Sequence, residues 1–443
     1  MTPKFSFAQA KHLGQTSLAL LTTLLAISVP PVYAQDIDGT VKTLLASPRI
    51  KQVLADLETD DARALKELKR FTTELPAPPF KERVRAEAFL ARMQELGAKD
   101  AYIDADNNVI AVRKGTGHGP RLLISAHLDT VFPEGTDVTI KEKDGKLYAP
   151  GISDDTRGLI VLIQWLKALN ERGIQTTGDL VIAANVGEEG LGDLRGMKAI
   201  FKNVAGIDGM VGLEPGLADR ITIGGTGSHR YDVIFTGPGG HSFGAFGQVP
   251  SAIHAMGRAI SKVGDVRPPK DPKTTFTVGT VEGGTSVNSI AGHASFALDI
   301  RSNGADSLAK TEKLIMDAIA AGVAEENQRW ETDKKITVEM KLIGDRPAGS
   351  TPEDSVMVKT AVTSSQAFNK KPYFNSSSTD ANVPMSLKVP AIILGSGGKN
   401  GGTHSLTEWL DPSQEWVDAQ AALVTVLSLV GVEGVVQPLL SKK

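Results

Sequence analysis

The chain has no cysteine among its 443 residues. Disulfides, thiolate zinc sites and cysteine nucleophiles are therefore excluded, and any transition-metal site must be built from His, Asp and Glu. Aromatic residues are scarce at 5%, whereas there are 45 glycines, a balance that fits an α/β protein rich in turns. These absences favour a globular chain whose chemistry depends on carboxylates and imidazoles.

A strong charge of either sign is also lacking. The formal net charge is −3 and there is no long Lys/Arg run, which argues against nucleic acid or an anionic membrane as the partner. The sequence also lacks a long hydrophobic run. The apolar stretch 18–29 is too short to span a membrane comfortably.

The N-terminus is typical of a secretory signal peptide. Lys4 and Lys11 supply positive charge around the start of the apolar stretch, and Val32 and Ala34 stand at the usual cleavage positions. We expect residues 1–34 to be a signal peptide cleaved after Ala34, which leaves no stable membrane span. The mature protein is then periplasmic or secreted. An uncleaved anchor is the alternative.

Strand-like apolar runs alternate with helical patterns over most of the chain. This alternation predicts an α/β fold: a three-layer α/β/α catalytic domain with a mostly parallel sheet. Between about 226 and 345 the order becomes β-α-β-β-α-β with alternating strands, the ferredoxin-like arrangement. We therefore predict a discontinuous catalytic domain over 45–225 and 346–437, with an α+β domain inserted at 226–345.

Carboxylates and histidines follow several of the apolar runs. In chain order they are His127 and Asp129 in LLISAHLDTV, Asp154 and Asp155 in APGISDDTRG, Glu188 and Glu189 in LVIAANVGEEG, Glu214 in MVGLEP, and His404 in GGTHSLTEW. Lone carboxylates are costly to bury unless they are paired or bind a cation. Since α/β proteins place their ligands at one end of the sheet, the series predicts a metal centre there.

The spacing of these residues suggests their roles. Residues two apart in an extended segment point to the same side, so Asp129 is placed to orient His127 or another nearby imidazole. Adjacent acids point apart, so one of Glu188 and Glu189 can bind metal while the other faces the attacking water as general base. Five ligands, one of them bridging, suffice for two zinc ions that each keep an open position. Each motif alone is more often structural, but the ordered series favours the metal site.

The motifs HLDTV, GISDDTRG, GEEG, GLEP and GTHS resemble those of the M20 family of metallopeptidases, which includes peptidase T, glutamate carboxypeptidase and acetylornithine deacetylase-like enzymes. The resemblance covers nearly all of the chain after the signal. It implies two zinc ions, one held by His127, Asp154 and Glu214, the other by Asp154, Glu189 and His404. It also implies that Asp154 bridges the ions, that Glu188 is the general base and that Asp129 orients a ligand.

The resemblance extends to the inserted domain, which is similar to the family's lid and dimerisation domain. His241 in GPGGHSFG looks like the lid histidine that reaches into the partner subunit's site and stabilises the oxyanion. Asn288 in SVNSIAG and Arg301 in LDIRS look like residues that hold the substrate's backbone or carboxylate. Arginine suits this task because its fork binds a carboxylate in a bidentate way. A homodimer through this domain is implied by the same resemblance.

The expected function is that of a secreted di-zinc exopeptidase acting on short peptides, with Glu188 as the general base on a metal-bridged water. The first alternative is an N-acyl amino acid deacylase with the same metal site. The second is a non-catalytic peptide-binding homologue, against which the complete ligand set argues. Other divalent metals, such as Mn²⁺, Co²⁺ or iron, stay open because carboxylate-rich sites accept several.

Overall fold

The computed structural model describes residues 36–443, and the segment 1–34, expected to be a signal peptide, lies outside the described residues. The helices are α1 (Ile37–Ala46), α2 (Pro48–Thr59), α3 (Asp61–Thr73), α4 (Arg83–Glu95), α5 (Gly158–Glu171), α6 (Arg195–Asn203), α7 (Ala252–Gly264), α8 (Ala305–Gln328), α9 (Val356–Ala367), α10 (Asn382–Ser386) and α11 (Glu415–Val430). Shorter turns of other helix types cover Ile152–Arg157 and Gly190–Gly192.

The strands are β1 (Tyr102–Ile103), β2 (Val109–Arg113), β3 (Arg121–His127), β4 (Lys141–Lys143), β5 (Lys146–Tyr148), β6 (Asp179–Asn185), β7 (Gly209–Glu214), β8 (Arg220–Gly225), β9 (Gly227–Thr236), β10 (Gly240–His241), β11 (Thr274–Gly283), β12 (Ser289–Ile290), β13 (His293–Ser302), β14 (Thr337–Arg346), β15 (Gly349–Ser350), β16 (Tyr373–Ser377), β17 (Ala391–Gly395), β18 (Lys399–Gly401) and β19 (Trp409–Asp411).

Nine strands form the central sheet, in the order β1-β2-β6-β3-β7-β17-β8-β15, with β16 paired to β8. Strands β6, β3, β7 and β17 run parallel at its centre, and antiparallel pairs flank them. Almost every residue of these four strands is buried, as expected when both faces of a parallel sheet are covered. The predicted fold class is confirmed.

Alternate residues of the central strands pack into two separate layers of the core. Leu122 and Ile124 of β3 lie in the layer formed with α1–α5, α9 and α11, whereas Leu123 lies in the layer formed with α6 and α10. Helices thus cover both faces of the sheet, which is the expected three-layer arrangement.

A separate antiparallel sheet has the order β11-β13-β9-β14 and extends from Gly227 to Arg346. Helices α7 and α8 pack on one face around a core cluster of its own. The order of helices and strands along the chain agrees with the ferredoxin-like prediction. Arg301 of β13 and Arg346 of β14 both pair with Ser228 of β9, so the two arginines share a face where the sheet joins the rest of the chain.

A small antiparallel sheet of β18, β19, β5 and β4 brings two distant segments together. The turn that carries Asp154 follows β5, and the loop that carries His404 lies between β18 and β19. In residues 36–443 no helix combines the length and the apolar character that crossing a membrane requires.

Candidate metal centre

The carboxyl ends of three neighbouring central strands meet at one edge of the sheet. His127 ends β3, Glu214 ends β7, and Glu188 and Glu189 follow β6 after a turn at Gly187. Gly187 has a φ of 73°, and a Cβ there would overlap a neighbouring side chain, so the turn requires glycine. The strand order therefore brings three of the predicted motifs together.

Asp129 supports the site in a different way from the one expected. Nδ1 of His127 lies 2.9 Å from the backbone oxygen of Asp129 but 3.9 Å from its carboxylate. The carboxylate instead accepts hydrogen bonds from the backbone amides of Glu188 and Glu189, at 3.3 and 2.9 Å. The structure thus places the Asp129 carbonyl on His127, and the Asp129 carboxylate on the Glu188–Glu189 turn.

Asp154 connects the two histidines. Its Oδ1 lies 2.9 Å from Nε2 of His127, and its Oδ2 lies 3.2 Å from Nε2 of His404. Nε2 of His404 also lies 2.9 Å from Oε1 of Glu189. The adjacent Asp155 instead accepts hydrogen bonds from the backbone amides of His127 and of the first residue of α5. Only Asp154 of the pair faces both imidazoles, as a shared metal ligand would.

Glu408 holds the turn on which Asp154 lies. Its buried carboxylate accepts hydrogen bonds from the amides of Gly151, Ser153 and Asp154 at 2.8, 2.8 and 3.0 Å, and from the Ser153 hydroxyl at 2.7 Å. Its importance could not be recognised from the sequence, because an acid in a polar loop is ordinarily exposed to solvent.

Arg346 joins the inserted sheet to Glu188. Its Nη1 lies 3.5 Å from Oε1 of Glu188, and its Nη2 donates to the backbone oxygens of Glu188 and Gly190. Arg230 of β9 donates to the same Gly190 oxygen at 2.6 Å. Neither arginine was predicted, since a charged residue in an alternating strand is usually on the surface.

The packing of several carboxylates shifts their protonation. Burial raises the pKa of Glu188 well above its usual range, and the charges of Glu189 and Glu214 add to this effect. Burial likewise raises the pKa of Glu214 to about 8. Hydrogen bonds to Asp154 and Glu189 raise the pKa of His404 to about 10. These pKa shifts show that ionised carboxylates are unfavourable when they are buried close to one another. Bound cations would offset this electrostatic free energy.

The cluster has the donor chemistry of a divalent-metal centre. Two sets of side chains offer ligand atoms within 4.8 Å of one another: His127, Asp154 and Glu189, and His127, Glu188 and Glu214. Imidazole and carboxylate donors suit zinc and related metals. Glu188, which the family resemblance implies to be the general base, thus lies among the ligand atoms of the second set.

A cavity of about 590 Å³ opens beside the cluster. Its charged lining residues are Asp154, Glu188, Glu189, Glu214, Arg220, Arg230, Arg301, Arg346 and His404. Arg301, predicted to bind substrate, therefore lies at the cavity. His241 and Asn288 lie on or beside the β10–β12 ribbon instead, and within residues 36–443 neither lines this cavity.

The fold and the site together define an α/β protein with an inserted antiparallel sheet and a His/carboxylate cluster of metal-ligand type at its strand ends. The family model described as Peptidase family M20/M25/M40 matches residues 123–428, more than half of the chain. The chain therefore belongs to this family, and the predicted membership of a family of metallopeptidase hydrolases is confirmed.

The similar proteins agree with this assignment. Carboxypeptidase G2 of Pseudomonas sp. (strain RS-16) is 29% identical over 161 residues, which cover 34% of this chain and 38% of that protein. Aminopeptidase PepT from Bacillus cereus ATCC 10987 superposes with a TM-score of 0.68 at 20% identity, covering 83% of this chain and 98% of that chain.

A second solved structure, the YXEP protein of Bacillus subtilis, is described as a dinuclear metal binding peptidase from the M20 family. Its TM-score is 0.61 at 16% identity, covering 84% of this chain and 99% of that chain. At these identities, the structural likeness shows the fold alone. The chain spans only about 38–52% of the length of the first curated relatives.

Proposed function

We propose that the chain is a secreted di-zinc exopeptidase that hydrolyses amide bonds of short peptides. The observation that carries this proposal is Asp154, whose two oxygens face His127 and His404 at 2.9 and 3.2 Å. A shared carboxylate is what a two-metal centre needs, and Glu189 and Glu214 supply the remaining ligands. Bound zinc ions would polarise the scissile carbonyl and lower the pKa of water at the site.

Glu188 is placed to move the proton. Arg346 contacts both its side chain and its backbone oxygen. Burial raises the pKa of Glu188 well above its usual range, which suits a group that takes a proton from water and returns it to the leaving amine. Arg301, on the cavity wall, is placed to bind the substrate's carboxylate.

Glu188→Gln tests this assignment, because it keeps the size of the side chain and removes the base. We expect zinc content to stay at the wild-type level and dipeptide turnover to fall about 100-fold or more. The matched control is Glu189→Gln, one residue on, which should lose zinc as well as activity. Retained turnover in the first variant would exclude Glu188 as the base, and two zinc ions retained in the second would exclude Glu189 as a ligand.

An N-acyl amino acid deacylase is the second candidate, since both substrate classes present an amide near a carboxylate to the metal cluster and Arg301. Mass spectrometry of products from di- and tripeptides and N-acyl amino acids separates the candidates. Loss of terminal residues identifies a peptidase and the end that it trims, and release of acyl groups identifies a deacylase. Peptide binding without turnover by the zinc-loaded protein would support the third candidate, a non-catalytic peptide-binding homologue.

We also propose that the inserted domain forms a homodimer that completes the site. Within residues 36–443, His241 does not line the cavity of its own chain. Near the ribbon that carries His241, the apolar side chains of Phe243 and Val287 are 90% and 104% exposed, as expected of surfaces that meet a partner.

Mixing two inactive variants tests the dimer. His241→Ala and Glu188→Gln subunits should each have little activity alone. In a hybrid dimer, one site has an intact Glu188 and receives His241 from the other subunit, so exchange should restore about a quarter of wild-type activity. No recovery after verified subunit exchange, or a monomer by light scattering, would contradict this arrangement.

Export and metal identity complete the proposal. The intact mass of protein from the periplasmic fraction should correspond to a chain that begins at Gln35. A mass that retains residues 1–34 would indicate an anchor instead. Metal analysis of natively purified protein should give about two zinc ions per chain; manganese, cobalt or iron at that stoichiometry would replace zinc in the proposal.

A further inference from the structure

Arg220 lies in the cavity wall, where its charge acts on Glu214, but its guanidinium group makes no hydrogen bond within residues 36–443. It is the first residue of β8, and its Nε and Nη2 are buried and have no hydrogen-bond partner among residues 36–443. The guanidinium group is packed over the backbone of Gly216, where a Cβ would lie 3.1 Å from Nε. A guanidinium group held in place with unused donors is suited to receive a carboxylate.

The other arginines of the cavity are engaged to different degrees. Arg230 and Arg346 both donate to the backbone oxygen of Gly190. Arg301 bonds Asp299 at 2.7 Å through Nε, and its two terminal nitrogens make no hydrogen bond within the described residues. Arg220 on the central sheet and Arg301 on the inserted sheet therefore both present N–H groups without acceptors to the same cavity.

The charge of the cavity favours an anionic ligand. Four carboxylates and four guanidinium groups line it, so their formal charges balance. The two divalent cations of the proposed function would make the cavity cationic. A substrate whose single carboxylate binds Arg301 would leave the buried Nε and Nη2 of Arg220 without an acceptor, which is unfavourable.

We propose that the terminal residue released from the substrate is acidic. Its α-carboxylate binds Arg301, and its side-chain carboxylate binds Arg220. This inference rests on the proposed function and narrows the substrates to peptides or N-acyl amino acids that end in Asp or Glu. The cavity of about 590 Å³ is within the usual size range for binding a small ligand.

A matched pair of dipeptides tests the proposal. Ala-Glu and Ala-Gln have nearly the same shape and differ in the side-chain charge. We expect the wild-type protein to hydrolyse Ala-Glu with a kcat/KM about 10- to 100-fold higher, the effect of one carboxylate–guanidinium contact. Arg220→Gln should bring this ratio close to one, and Arg220→Lys should retain part of it. Arg267→Gln, at an exposed position outside the cavity, is the control and should keep the wild-type ratio.

Binding of the products gives a readout that does not depend on turnover. Calorimetry should show that the zinc-loaded protein binds glutamate about tenfold or more tightly than glutamine, and that Arg220→Gln removes the difference. Equal binding of the two amino acids, or an unchanged ratio in Arg220→Gln, would overturn the proposal. An equal loss on both dipeptides together with loss of zinc would also overturn it, because Arg220 would then serve Glu214. If neither dipeptide is cleaved but glutamate binding is selective, the acidic subsite stands and the exopeptidase proposal fails.

Discussion

Replacing Glu408 by glutamine should weaken zinc binding although Glu408 is not a ligand. Its Oε1 accepts three hydrogen bonds, from the amides of Ser153 and Asp154 and from the Ser153 hydroxyl, and its Oε2 accepts one from the amide of Gly151. A glutamine oxygen can replace Oε1, but its amide nitrogen then faces the N–H of Gly151. The buried amide of Gly151 then has no acceptor, and the three remaining hydrogen bonds are made to a neutral oxygen instead of a charged carboxylate.

The size of the effect follows from these contacts. The loss of one charge-assisted bond with a buried donor left unpaired costs about 2–3 kcal/mol. Since the affected turn carries Asp154, we expect most of this cost to appear in the metal site, as roughly 30- to 100-fold weaker zinc binding. Glu408→Ala leaves all four donors unpaired and should in addition lower the free energy of unfolding by about 3–5 kcal/mol.

The assay is competition for zinc with a chromophoric chelator, together with thermal unfolding of the metal-free protein. Glu433→Gln, at an exposed position away from the site, controls for the loss of a charge. A zinc affinity of Glu408→Gln within about twofold of wild type would refute the reasoning. So would a loss of stability without any change in zinc affinity, because the turn would then tolerate the change.

Three further predictions follow from the same structure. Asp129→Asn removes one acceptor from the amides of Glu188 and Glu189, so kcat/KM should fall about 10- to 100-fold, and wild-type kinetics would refute a positioning role. Zinc at about 1,000 times its Kd should stabilise the metal-free protein by about 4 kcal/mol, seen as a higher Tm; an unchanged Tm would contradict a site formed on folding. Burial raises the pKa of Glu415 from an ordinary 4.5 to about 7, so the folded chain keeps a proton that the unfolded chain has lost. The free energy of unfolding should therefore fall by up to about 3 kcal/mol as the pH rises from 4.5 to about 7. In urea titrations, Glu415→Gln should reduce this dependence on pH, and the same pH dependence in wild type and variant would contradict the assignment to Glu415.

The positions of the main site residues could be predicted because buried parallel strands leave a clear pattern. His127 and Glu214 end nearly continuous apolar runs, and Glu188 and Glu189 follow another. Once the strands are parallel, their carboxyl ends share one edge of the sheet. The same reasoning predicted the layers and the inserted sheet, since burial is nearly continuous along β7 but alternates along β13.

Residues that act through long-range contacts could not be predicted in this way. Glu408 bonds a turn more than 250 residues earlier, and Arg346 reaches Glu188 from the inserted sheet. Asp129 uses its backbone for the task assigned to its side chain. His241, although named from its motif, lies on the β10–β12 ribbon away from the cavity, a placement that the motif alone does not indicate. In each case, the partner is set by tertiary structure and not by local spacing.

The position of β17 has a consequence for how the protein is made. This strand lies between β7 and β8, which are only a few residues apart along the chain. Until residue 395 has left the ribosome, β7 and β8 have unpaired edges at the middle of the future sheet. Such edges are prone to aggregation, and contacts so distant in sequence form slowly. His404 and Glu408 emerge later still, so the candidate metal centre of the nascent chain stays incomplete until synthesis is almost finished.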